Sequence, residues 1–176
     1  MGLFTNSILP AGGRPSGARG GIIQIKQNIK TDTSSFQAIT GSFSGNISGL
    51  TETITTQTNS SKVLIVLCIH YSTATNQRGS YRILRGSTVL SVGDAAGSAM
   101  RTISPSMSPA SSARSIPLTM MMIDTPGNAG TYTYNVQGNG ESGGGTVYVN
   151  RNASSSYNSN THHVGISTIT LMELGE

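Results

Sequence analysis

Tryptophan is absent from the 176 residues, and Phe and Tyr bring the aromatic share to only 5%. Platforms on which the bases of a single strand stack are therefore scarce. Charge is sparse too, at 10% of the chain, where roughly 25% is ordinary. Good helix formers are too few for a helical bundle or an ion-paired solvated helix. A single cysteine, Cys68, excludes an internal disulfide. No apolar run approaches the roughly 20 residues of a membrane-spanning helix, so no membrane insertion is expected. The opening MGLFTNSILPAGG also lacks the basic-then-apolar order of a secretory signal.

Small residues fill the space instead. Gly, Ser, Thr and Asn occupy 81 of 176 positions. Disorder would follow if apolar residues were also missing, but they return in short, regularly spaced runs. The net charge of +4 comes from 11 basic and 7 acidic residues. The basic side chains are scattered, with Arg78, Arg82 and Arg85 as the closest grouping. That is not the clustered footprint of a duplex binder, and nucleic acid is not an expected partner.

Two parts are expected along the chain. Residues 1–20 combine Leu3, Phe4, Ile8 and Leu9 with Arg14, Arg19 and a run of Gly and Pro. The Gly/Pro density forbids a regular element and favours an extended arm, either a frayed tail or an anchor. Residues 21–176 carry period-two alternation, the mark of half-buried antiparallel strands. In GIIQIKQNI, Ile23, Ile25 and Ile29 share a face. Ile116, Leu118, Met120 and Met122 share another, as do Tyr132, Tyr134 and Val136, and again Val147 and Val149. Lys62–Tyr71 is apolar on both faces through Ile69, which calls for cover on both sides, either centrally in the fold or by a neighbouring subunit. The closing segment moves from Val164 and Ile166 to Ile169 and Leu171 on the opposite face, implying a bulge near Ser167–Thr168 or burial of both faces. Gly86 sits where a tight hairpin needs positive φ. Residues 95–115, rich in Ser and Pro, read as an exposed excursion. The sum is eight to ten strands of an all-β, antiparallel β-sandwich with an extended N-terminal arm.

Chemistry is hard to find. The acids Asp32, Glu52, Asp94, Asp124, Glu141, Glu173 and Glu176 read as surface groups, with no pair set for glycosidic cleavage. Adjacent His162 and His163 point to opposite strand faces, so the pair cannot simply chelate one ion. In a trimer, one of them could meet its symmetry mates on the axis. Cys68, inside the most apolar run, reads as a small buried hydrophobe without a catalytic partner. Residues 138–145 precede a strand rather than a helix and are no phosphate loop. The Asn46, Asn59 and Asn152 sequons are what an Asn/Ser-rich chain produces by chance. Tyr148 and Tyr157, near loops, remain candidates for stacking on sugars. No enzyme, cofactor or bound metal is expected.

The order KVLIVLCIHYS, RGSYRILRGSTVLSVG, IPLTMMMIDTPGNAGTYTYNVQ, GGGTVYVNR, ISTITLMEL resembles the β-sandwich modules of tailed-bacteriophage virion proteins. Such modules occur in head decoration (cement) proteins, head fibres and tail-fibre tips. Their fold is similar to the jelly roll of tumour-necrosis-factor-like and complement-type trimeric heads. The resemblance implies a non-enzymatic structural protein of the virion, assembled in the host cytoplasm. A length of 176 residues is too short for a whole long fibre, and an apolar arm suits docking on a shell, which favours a decoration protein on the major capsid protein or another virion protein. The alternative is a tail-fibre tip that binds host surface polysaccharide. Leu3, Phe4, Ile8, Leu9, Arg14 and Arg19 are the expected virion anchors. A homotrimer is expected, with Met120, Met122, Ile169 and Leu171 at its interface.

Overall fold

The longest apolar run becomes the longest strand. In the computed structural model, which describes residues 21–37, 39, 41–74, 77–90, 92–140, 145–154, 160 and 163–175, Lys62–Thr73 forms β4. Around it in chain order lie β1 (Gly21–Lys30), β2 (Ser34–Gln37), β3 (Asn46–Thr56), β5 (Gly79–Arg85), β6 (Thr88–Leu90), β7 (Ile116–Asp124), β8 (Gly130–Gly140), β9 (Thr146–Val149) and β10 (Ser167–Gly175). No helix occurs among the described residues. The molecule is an all-β antiparallel sandwich of the jelly-roll kind, in which the chain keeps crossing between two sheets.

The first sheet runs β1-β10-β4-β9-β2, with β7 on the far side of β4. β10 pairs with Lys62–Cys68 and β9 with Tyr71–Thr73, so β9 takes over where β10 ends. Asn150 closes that junction from a left-handed conformation at φ 64, which Asn tolerates better than most residues. Its Nδ2 donates to the carbonyls of Lys30 (2.8 Å) and Asp32 (2.9 Å), and its Oδ1 accepts from Ser167 Oγ at 2.6 Å. Its own N–H reaches the His70 carbonyl at 2.8 Å. One buried residue thus ties β1, β4, β9 and β10. The second sheet runs β3-β8-β5-β6, turned at its end by Gly86 at φ 58 as the hairpin requires.

Alternation builds the core. Val63, Ile65, Leu67, Ile69 and Tyr71 of β4 face Tyr81, Ile83, Tyr134 and Val136, all without accessible surface. Each such Val or Ile contributes about 1.5–3 kcal/mol by leaving water. Gly138 admits the Phe36 ring, which a Cβ there would meet at 2.2 Å.

Four expectations need correction. Met120, Met122, Ile169 and Leu171 are core residues of the single chain, at most 9% exposed, because the inward phase of β7 and β10 falls on them. They are therefore not a surface for another subunit. β10 has no bulge against β4, its register being continuous from Thr168 to Leu174. Val164 and Ile166 precede the strand, so the switch of face is a strand boundary. The excursion at 95–115 is not wholly exposed: Ser104 is buried and its Oγ accepts from Tyr81 N, while Ile103 and Met107 bond the backbone of Tyr81 and Gly79. β1, finally, inverts the usual pattern, with Ile25 and Ile29 outward and Gln24 and Asn28 inward. Those amides donate to the Thr55 carbonyl (2.6 Å) and the Thr51 carbonyl (2.9 Å). They satisfy the free edge of β3 and curl the two sheets together.

Candidate functional site

Registered pairing places three rows on the outer face of the first sheet. Ile25, Met172, Leu64 and Ile123 form one; Gln27, Thr170, Val66 and Met121 the next; Ile29, Thr168, Cys68 and Thr119 the third. Met121 is 69% exposed, Ile123 54% and Ile25 50%. None of the twelve residues in these rows carries a charge; even Gln27 spends its amide on Thr170 Oγ1, at 2.8 Å. Lys62 and His70 bound the rows at either end of β4. Three rows, each about 6.6 Å deep at about 3.3 Å per residue, across four strands at about 4.8 Å spacing give a plate of about 380 Å². Patches of that size on single chains are commonly functional. Cys68 belongs to this plate, half-buried and outward rather than deep in the core.

The outer face of the second sheet has the opposite chemistry. Thr53 and Thr133 hydroxyls meet at 2.9 Å, as do Thr55 and Thr131, and Thr51 donates to Asn135 Oδ1 at 3.0 Å. Gln137 donates to Asn46 Oδ1 at 3.0 Å and accepts from Arg82 Nε (2.9 Å) and Nη2 (2.6 Å). The Arg82 guanidinium lies 3.8 Å from the centre of the Phe43 ring, and burial holds its pKa below the usual arginine value. Beside it opens a groove of about 560 Å³, also lined by Val89, Met100 and Arg101.

Two acids expected at the surface are buried. Asp124 ends β7, where it accepts both oxygens' worth of bonds from Arg85 Nη1 (2.9 and 2.7 Å) and one from the Tyr134 hydroxyl at 2.8 Å. Burial, then Asp124, drives the Tyr134 pKa upward. Glu173, with no accessible surface, accepts from Gln24 Nε2, Gln57 N and Ser61 Oγ, each at 2.6 Å. Both carboxylates are thus engaged in holding strands. Asp32 is exposed, its pKa lowered chiefly by its hydrogen bond from buried Lys30. Among the described residues no three of His, Cys, Asp and Glu gather as a metal site.

Leu3, Phe4, Ile8, Leu9, Arg14 and Arg19 lie outside the described residues, as do His162, Glu141, Tyr157 and Glu176. His163 is exposed beside a second groove of about 360 Å³ with Arg114 and Asn152. His70 points outward on β4, close against Gly165. Tyr148 stacks under Arg151 at 4.2 Å. The polar ladder escaped the sequence reading, although its signal was present in the Thr-x-Thr spacing of β3 and β8. No known protein family matches the sequence, and no characterised protein is detectably similar to it.

Proposed function

We propose that this chain is a non-enzymatic assembly module that works as a homotrimer, and that the trimer decorates the head of a tailed bacteriophage by docking on its capsid protein. The observation that carries the reading is the uncharged apolar plate on the outer face of the first sheet. A chain with a +4 surplus can meet copies of itself there without like-charge repulsion. A plate of about 380 Å² supplies about half of the roughly 800 Å² that each partner contributes to a stable interface. The polar second sheet then faces outward, which suits a particle surface. Localisation on the virion rests on the jelly-roll strand order and on the apolar arm preceding Gly21. The groove at Arg82 favours a second reading, a tail-fibre tip that binds host surface polysaccharide.

Sedimentation tests the assembly. Because Met121 is exposed in the single chain, Met121→Glu leaves the fold intact but buries three unpaired charges in a trimer. The wild type should sediment as a trimer at micromolar concentration and the variant as a folded monomer. A monomeric wild type, or a variant that stays trimeric, overturns the interface. Deleting residues 1–20 should leave a trimer that no longer co-sediments with undecorated heads; undiminished binding refutes the anchoring arm. Reconstruction of the particle separates head from tail.

A further inference from the structure

The basic side chains of this protein are treated unequally. Lys30 and Arg85 have carboxylate partners at 2.8 and 2.7 Å. Arg82 and Arg101 share one groove, and among the described residues neither lies within ion-pair distance of an acid. Their bonds go to neutral oxygens, Arg82 to Gln137 and Arg101 to the Gly93 carbonyl at 2.6 Å. Among the described residues no acid lines the groove.

Arg82 is also immobilised before any ligand arrives. Two bonds to one amide oxygen and a ring beneath the guanidinium fix its plane, so little side-chain entropy remains to be lost on binding. Nε and Nη2 are committed to Gln137, which leaves the Nη1 edge for an oxyanion. Partial burial has removed water from this cation without supplying a counter-charge; an incoming carboxylate supplies it through a charge-assisted bond. Around the two arginines the groove alternates apolar Val89 and Met100 with Ser42, and the amides of Asn46 and Gln137 lie beyond. A sugar ring presents the matching alternation of C–H faces and hydroxyls. An acidic peptide adding a strand would need an open edge; that of β3 is occupied by Gln24 and Asn28, and β6, beside the groove, is only three residues long.

We propose that the Arg82–Arg101 groove binds an acidic saccharide, one whose carboxylate bridges the two guanidinium groups while its ring lies on Val89 and Met100. The site is on the opposite sheet from the apolar plate and stands or falls separately from the trimer.

Titration calorimetry of the full chain with oligogalacturonate tests it, with the methyl-esterified oligomer and polyglutamate as comparators. Oligogalacturonate should bind with submillimolar affinity and the neutral ester at least about tenfold more weakly, as expected for loss of a charged partner. Arg101 is exposed, so Arg101→Ala keeps the melting temperature and should lose about tenfold in affinity. Arg82→Gln should lose at least as much. Absence of oligogalacturonate binding, indifference to both substitutions, or equal binding of the ester would overturn the proposal. Polyglutamate binding as tightly as the sugar acid would overturn the saccharide assignment.

Discussion

Replacing Glu173 by its isosteric amide probes the join between β10, β1 and the β3–β4 turn. The carboxylate has no accessible surface and three donors at 2.6 Å. Charge-assisted bonds contribute roughly 1.5–3 kcal/mol each and neutral ones roughly half that. In Glu173→Gln an N–H₂ must take the place of one oxygen. If it replaces Oε1 it meets the backbone N–H of Gln57, which cannot turn. If it replaces Oε2 it meets Gln24 Nε2, whose amide is held by its bond to the Thr55 carbonyl at 2.6 Å. Either way one bond breaks and two lose their charge, about 4–5 kcal/mol, and a mispaired buried donor adds about 2. Relief from desolvating a carboxylate returns several kcal/mol. The net loss is about 2–3 kcal/mol, or about 5–10 °C in Tm for a chain of this size. Urea denaturation at fixed protein concentration measures it, and hydrogen exchange should rise first in Gly21–Gln24. Paired with Gln24→Ala, the substitution should show coupling rather than additivity. A change below about 0.5 kcal/mol would refute this account of the join.

The Tyr81 hydroxyl is buried without a partner among the described residues, so Tyr81→Phe should stabilise by about 1 kcal/mol. A loss of that size in denaturant would show that the hydroxyl is bonded. Tyr71 lies edge-on to Tyr81 at 5.2 Å, donates to the Met107 carbonyl at 3.0 Å, and is pushed up to about 12 by burial. Because the fold favours the protonated phenol, its contribution is complete below pH ~10 and declines by about 1.4 kcal/mol per pH unit from there towards 12. Burial, and secondarily Tyr71, shift Tyr81 in the same direction. Unfolding followed with tyrosinate absorbance should show this loss, and flat stability across that range would contradict it.

Strand periodicity was legible wherever one face meets the core and the other meets water. β7, β8 and β9 follow that rule, and their inward residues are those the alternation names. β4, apolar on both faces, read as either a central strand or one covered by a neighbouring subunit, and it lies centrally in the first sheet with its outer face half-buried. Interface residues were misassigned because a period-two pattern reports two faces without saying which is inside. Met120 and Met122 look as adaptable as Met121, yet only Met121 is outside. β1 failed more deeply: its inward Gln24 and Asn28 are amides because they bond the backbone of another sheet, a long-range need that no local pattern encodes. Glu173 is the same case, an acid in a phase shared with Ile169 and Leu171. The pairing of Arg82 with Phe43, 39 positions apart, depends on the β5–β8 register and has no sequence signature.

Edge strands are where sheet proteins invite unwanted pairing, and each open margin here has its own obstacle. Gln24 and Asn28 already occupy carbonyls on the free side of β3, so an invading strand would have to displace them. β7 carries Pro117, which has no N–H to offer. β6 and β2, at the ends of the two sheets, are only three and four residues long, too brief to template a ladder. The outer side of β1 is interrupted by a register shift between Ile22 and Gln24, and such irregularities twist a strand away from would-be partners. A chain rich in Thr and Ile can therefore be held at high local density without propagating into fibrils, leaving association to faces rather than edges.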